Sequence, residues 1–136
     1  MEFRIRVFTE SDTQSLVEIL KKNEQYYYPS IDGPDAMKRV ATCNAAVFLV
    51  AEKEKPLGFI RAVYDGSRAL IHLLSVHPDY QYCGIGTALV DGVCEELSHR
   101  GAPTVSATVT EKSAGFWEKN GFKRTPAFLV LRSCTQ

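Results

Sequence analysis

The sequence predicts a mixed α/β fold, a central sheet with helices on both faces, in the order β-α-α-β-β-β-α-β-α-β. Three observations carry this. Runs with the period of a strand alternate with runs that repeat every three to four residues. Three β-rich runs follow one another in the middle of the chain, between Ala45 and Val76. Those central runs are apolar at successive positions, which calls for helices covering both faces of the strands.

Residues 3–8 (FRIRVF) alternate apolar and basic side chains, the pattern of a half-buried strand. A helix follows, capped by Ser11 or Asp12, with Leu16, Val17, Ile19 and Leu20 as its apolar face. The run Tyr26-Tyr27-Tyr28-Pro29 ends it. Asp32, Gly33 and Pro34 turn the chain into a second short helix carrying Ala36, Met37, Val40 and Ala41. Ala45 to Ala51 and Leu57 to Tyr64 form a hairpin around the charged Glu52-Lys53-Glu54-Lys55 and Pro56. Ala69 to Val76 makes a third strand after the turn Asp65-Gly66-Ser67. Helical spacing returns from Gly84 to His99, with Ile85, Leu89, Val93 and Leu97 four apart beside Ala88, and Gly101 closes the helix. A strand at 104–109, a short helix from Lys112 to Lys119 stopped by Asn120-Gly121, and a final strand from Phe122 to Leu131 complete the order.

The 136 residues hold 16 Lys+Arg and 16 Asp+Glu and are 45% hydrophobic, which describes one ordinary domain spanning residues 1–136. A chain of this size buries roughly two-thirds of its unfolded surface, so its core needs no metal or disulfide staple. Zero formal net charge removes the basic footprint of a nucleic-acid or anionic-membrane binder. The longest apolar run, Ala45 to Ala51, is too short to span a bilayer, and charges dispersed through the first dozen residues leave no signal-peptide core. A cytoplasmic protein is expected. Cys43, Cys83, Cys94 and Cys134 form no C-x-x-C pair and read as free thiols, with no metal site.

One segment stands apart, Leu74-Ser75-Val76-His77-Pro78-Asp79-Tyr80-Gln81-Tyr82-Cys83-Gly84-Ile85-Gly86-Thr87. It leads from a buried strand through a loop into a helix whose first turn holds two glycines. Unpaired N–H groups and the positive end of the helix dipole suit a phosphate there, and the glycines admit it without a Cβ in the way. Leu89 stands where a dinucleotide fingerprint needs its third glycine, and no Gly-Lys-Ser/Thr follows Gly84, so neither common nucleotide loop fits.

Gln81, Gly84 and Gly86, with Leu74, Val76 and Pro78 upstream, match the coenzyme A loop of the Gcn5-related N-acetyltransferases (GNAT), Q/R-x-x-G-x-G/A. Ser113 to Phe122 (SAGFWEKNGF) resembles the second signature of that family, A-x-x-F-Y-E-K-x-G-F. The order of the blocks and of the elements is similar over nearly the whole chain. The resemblance implies the GNAT acyl-CoA N-acyltransferase fold, acetyl-CoA as co-substrate without a metal, and transfer of the acetyl group to a primary amine of a small molecule or protein.

It also implies roles for particular residues. The backbone of Leu74, Ser75 and Val76 would pair with the pantetheine arm. The N–H groups of Tyr82, Cys83, Gly84, Ile85, Gly86 and Thr87 would hold the pyrophosphate, with Gln81 fixing the loop. His72 lies two and four residues before Leu74 and Val76, hence on the same face of the strand, in the region where family members often carry a catalytic carboxylate. It is the expected base, since an attacking ammonium must first lose a proton. Cys83 beside the cofactor is not needed as a nucleophile, because the acetyl group passes directly to the acceptor.

Two positions depart from the family pattern. Trp117 replaces the usual tyrosine acid, and indole N–H cannot act as an acid near neutral pH. Thr110 stands where many members have an asparagine near the pantetheine. Tyr64 or one of Tyr26 to Tyr28 is the alternative source of a hydroxyl. The acceptor would meet the stretch holding Glu24, Tyr26 to Tyr28, Asp32 and Asp35, where carboxylates and rings suit a cationic amine. Trp117 also leaves open a second reading, a GNAT-fold module that binds acyl-CoA as a sensor without catalysis. A monomer or homodimer is compatible with either.

Overall fold

The computed structural model describes residues 1–134. Its sheet has five strands in sequence order: β1 (Arg4–Val7), β2 (Ala46–Lys53), β3 (Lys55–Tyr64), β4 (Ala69–Val76) and β5 (Val105–Ala107). The first three pairings are antiparallel and β4 pairs with β5 in parallel. The β2–β3 hairpin is tighter than expected. Lys53 faces Lys55 across Glu54, whose φ of 66° makes the turn, and Pro56 is accommodated where the register shifts opposite Glu52.

The first helical segment also begins earlier than expected. A 3-10 turn at Glu10–Asp12 precedes α1 (Thr13–Lys22), and the Thr9 N–H donates to the Asp12 carboxylate at 2.9 Å. Arg6 on β1 holds the same carboxylate in a two-point contact, 2.7 Å at each oxygen, and also reaches Glu52 at 3.0 Å. Strand and helix are thereby tied by charge-assisted bonds. Two short helices follow, α2 (Pro29–Asp32) and α3 (Pro34–Ala41), each with proline in its first turn.

Helices cover both faces of the sheet, as expected. On one face Leu16, Ile19 and Leu20 of α1 and Met37 of α3 pack on Phe8, Phe48, Val50 and Phe59, with the rings of Phe8 and Phe48 stacked at 4.2 Å. On the other, Ile85, Leu89, Val93 and Leu97 of α4 (Ile85–His99) pack on Val47, Leu57, Ile60 and Ile71. The last helix, α5 (Ala114–Lys119), joins this second core through Trp117.

The expected final strand from Phe122 to Leu131 does not form among the described residues. Pro126 sits inside a tight turn closed by Ala127 N–H to Thr125 C=O at 2.8 Å, which interrupts the run. Phe128 to Leu131 are exposed and unpaired with the sheet, and β-branched or aromatic composition makes a strand only against a partner. The strand expected at 104–109 is likewise cut to Val105–Ala107. Beyond Ile71 and Ala107, joined last by the Thr108 N–H to Ile71 C=O bond of 3.1 Å, β4 and β5 cease to pair. Residues 72–76 of β4 thus have one free edge.

Candidate active site

The free edge of β4 is specified atom by atom. His77 N–H donates to Leu57 C=O at 2.8 Å, which fixes the odd-numbered residues near the end of β4 as those turned toward β3. Leu74 and Val76 therefore turn their backbone groups outward. Their carbonyls accept side-chain amides: Gln25 Nε2 reaches Leu74 O at 3.2 Å, and Asn23 Nδ2 and Gln81 Nε2 reach Val76 O at 2.8 and 3.1 Å. Ser75 is buried, its hydroxyl accepting from Asn23 Nδ2 at 2.8 Å. Of the three residues expected to meet the pantetheine arm, Leu74 and Val76 turn their backbone groups away from β3. Ser75 is committed to β3 and Asn23.

A bulge changes the position of His72. Arg61 pairs with Leu73 and Ala62 with Ile71, so His72 is left without a partner. Ile71 and Leu74, three apart, both pack toward α4, whereas Leu73 packs against the opposite core. The alternation that put His72 on the face of Leu74 and Val76 is broken there, so parity no longer sets the face of His72. His72 is half-buried beside Arg61. Burial, and then the Arg61 charge, lower its pKa to about 4, leaving a neutral imidazole at physiological pH.

The loop after β4 delivers the chain into α4 through a left-handed residue. Gly84 is the N-cap, with φ 84°, and a Cβ there would meet nothing within 4 Å. Open space and a backbone only glycine adopts freely coincide at the start of a 15-residue helix whose N-terminus no side chain caps. Gln81, Tyr82, Cys83, Gly84 and Thr87 are exposed, Tyr82 with φ 62°, while Ile85 is buried and anchors the first turn in the core. Gly86 has a different reason to be glycine: a Cβ there would lie 3.0 and 3.1 Å from two ring carbons of Phe116.

The second signature has a packing role in this structure. Trp117, expected beside the cofactor, is 6% exposed, its ring edge-on to Phe116 and Phe122 at 5.3 and 5.1 Å. Thr110 is exposed and its hydroxyl donates to Ser113 Oγ at 3.2 Å. Tyr64 does not reach the loop. Its hydroxyl lies by Gly101, past the C-terminus of α4, and 15 residues of helix span about 22 Å. Tyr26 packs on the α1 core with its hydroxyl near Gly33, and Tyr27 and Tyr28 are exposed.

Sequence reasoning missed Asn23 and Gln25, which look like ordinary helix-end polar residues until the fold lays them along β4. Arg61 was also missed, although it is a lone charge inside the apolar run Gly58-Phe59-Ile60-Arg61-Ala62-Val63, and that was a usable signal. Asp32, expected to face an amine, is buried and accepts the N–H groups of Tyr27 and Tyr28 at 2.8 and 3.2 Å, so it organises the loop. A cavity of about 670 Å³ between α3, β2 and α4 shares no lining residue with the loop or the free edge. Among the described residues no cluster of His, Cys, Asp and Glu could hold a metal, and no helix is long and apolar enough to cross a membrane.

Solved structures share this architecture. A transcriptional regulator from Bacillus halodurans superposes with a TM-score of 0.83 at 24% identity, over 97% of this chain and all of the other. An acetyltransferase from Trypanosoma brucei gives 0.77 at 25% identity, over 97% and 100%. PaiA N-acetyltransferase from Thermoplasma acidophilum, in complex with coenzyme A, gives 0.83 at 19% identity, over 94% of each chain. Residues 44–124, which contain the hairpin, the free edge, the glycine loop and α5, match the model of the acetyltransferase (GNAT) domain. With the parted strands and the loop in place on that fold, the chain belongs to the GNAT acetyltransferase family.

Proposed function

We propose that the protein is an acetyl-CoA-dependent N-acetyltransferase that acts on a primary amine, of a small molecule or a protein, by direct attack on the thioester. The observation that carries the reading is the uncapped start of α4, entered through left-handed Gly84, beside the free edge of β4. Backbone N–H groups from Tyr82 to Thr87 and the helix dipole would hold the pyrophosphate, which lets a neutral chain bind an anionic cofactor. The pantetheine amides would take the place of the Asn23, Gln25 and Gln81 side chains on the outward backbone of Leu74 and Val76.

His72 is the proposed base. Its imidazole is neutral at physiological pH, though a weaker acceptor than an ordinary histidine, and would take the proton that the amine loses, directly or through water, as the N–C bond forms and the C–S bond breaks. The thiolate then takes up a proton. A thiol pKa of about 8.5 makes it a tolerable leaving group without help from Trp117, which is buried in the core. The reading places the protein in the cytoplasm, as a monomer or homodimer.

Calorimetry with acetyl-CoA followed by thiol release against polyamines, aminoglycosides, amino acids and peptides tests the proposal. Binding with amine-dependent thiol release is expected. Binding without turnover on any amine favours the second reading, an acyl-CoA sensor, for which the core position of Trp117 is the supporting observation. No binding at millimolar ligand removes both.

A further inference from the structure

Arg61 is 6% exposed on the central strand β3, and its Nε and Nη1 have no hydrogen-bond partner. Three N–H donors of a charged group are thus closed off from solvent and unused. The guanidinium forms no ion pair among the described residues. Its carboxylate neighbour, Asp32, makes no hydrogen bond to it and acts on it through space, with one carboxylate oxygen held by the Tyr27 and Tyr28 N–H groups. The Phe48 ring lies under the guanidinium at 5.7 Å, and burial disfavours its charge. A buried cation left in this condition is rare in folded proteins, since packing alone is better served by an apolar side chain.

Its position gives the charge a use. Arg61 pairs with Leu73 at the bulge that releases His72, next to the stretch where β4 loses β5. The connection carrying Tyr26 to Tyr28 and Asp32 lies over the same face. We propose that Arg61 binds an oxyanion of the acceptor, so that the substrate is an amine bearing its own carboxylate or phosphate. The proposal rests on the acetyltransferase reading and narrows it. An oxyanion would reach Nη2 first, and a shift of the chain covering Nε or Nη1 would complete the fork geometry that arginine offers and lysine does not. Its charge would also offset the effect of Arg61 on His72, making the imidazole a better proton acceptor when substrate is bound.

The test compares acceptors that differ only in the oxyanion: phenylalanine with phenethylamine for carboxylate, and phosphoethanolamine with ethanolamine for phosphate. Thiol release by the wild-type protein should favour the anionic member of at least one pair, and which pair identifies the source of the oxyanion. Arg61→Met should reduce that preference, as a ratio of kcat/KM, on the order of 10²-fold, and Arg61→Lys should restore only part of it. The Met variant should melt no lower than wild type, because it removes an unpaired buried charge. Equal rates for both members of both pairs, a preference that survives Arg61→Met, or a lower melting temperature for that variant each overturn the proposal. Thiol release that is indifferent to the oxyanion overturns this inference alone, whereas no thiol release from any amine removes the enzymatic reading and this one with it.

Discussion

The ring of Phe116 in α5 lies against the α-carbon of Gly86 in the first turn of α4, so close that a Cβ on Gly86 would stand 3.0 Å from it. Residues from the two signature blocks, some 30 positions apart in sequence, are in direct contact, and the geometry of the loop depends on α5. Gly86→Val should therefore displace α4 from Phe116, lowering both the melting temperature and the affinity for coenzyme A. Gly84→Ala meets no atom and suffers only its left-handed backbone, at about 1 kcal/mol. Thermal melts and calorimetry on the two variants separate packing from backbone strain. Equal stability of Gly86→Val and wild type would contradict the contact.

His72 makes stability depend on pH in a defined window. Its folded pKa of about 4 lies below its ordinary 6.5, so between those values the unfolded chain binds a proton that the folded chain refuses. Stability should fall as pH is lowered from about 6.5 to about 4, and this contribution should level off below that. Urea unfolding midpoints across the range, with His72→Gln as the control that lacks the slope, measure it. An imidazole resonance titrating near 6.5 in the folded protein would show that the burial is absent.

Asn23 and Ser75 should behave as one unit. The Asn23 amide joins the buried Ser75 hydroxyl to the Val76 carbonyl, both at 2.8 Å. Asn23→Ala is expected to cost about 1–3 kcal/mol because it strands a buried hydroxyl, and Ser75→Ala in that background should cost little more. A double-mutant cycle by chemical denaturation reads the coupling. Additive losses would mean that the bond contributes nothing.

Trp117 is expected to matter first for folding. Trp117→Ala removes the ring held between Phe116 and Phe122 and should destabilise the protein by about 3–5 kcal/mol. Trp117→Tyr should fold and still bind coenzyme A, with turnover unchanged or raised. Loss of cofactor affinity in a folded Tyr variant would place the indole in the binding site instead of the core.

Local chemistry determined much of this protein from sequence alone. The strand and helix periods located nearly every element, and Ala69–Val76 began and ended where expected. The Gln81, Gly84 and Gly86 spacing marked the loop because a left-handed N-cap and an uncapped helix start are properties of neighbouring residues. Tertiary structure decided what depends on pairing across long separations. One extra residue at the bulge took the face of His72 out of the strand's alternation, and the laying of α1 against β4 brought Asn23 and Gln25 to the free edge. The length of α4 put Tyr64 out of reach, and the turn around Pro126 left Phe128 to Leu131 outside the sheet. Period and composition fix how a segment folds. Which side chain faces which is set by register, and register is a property of two strands, not one.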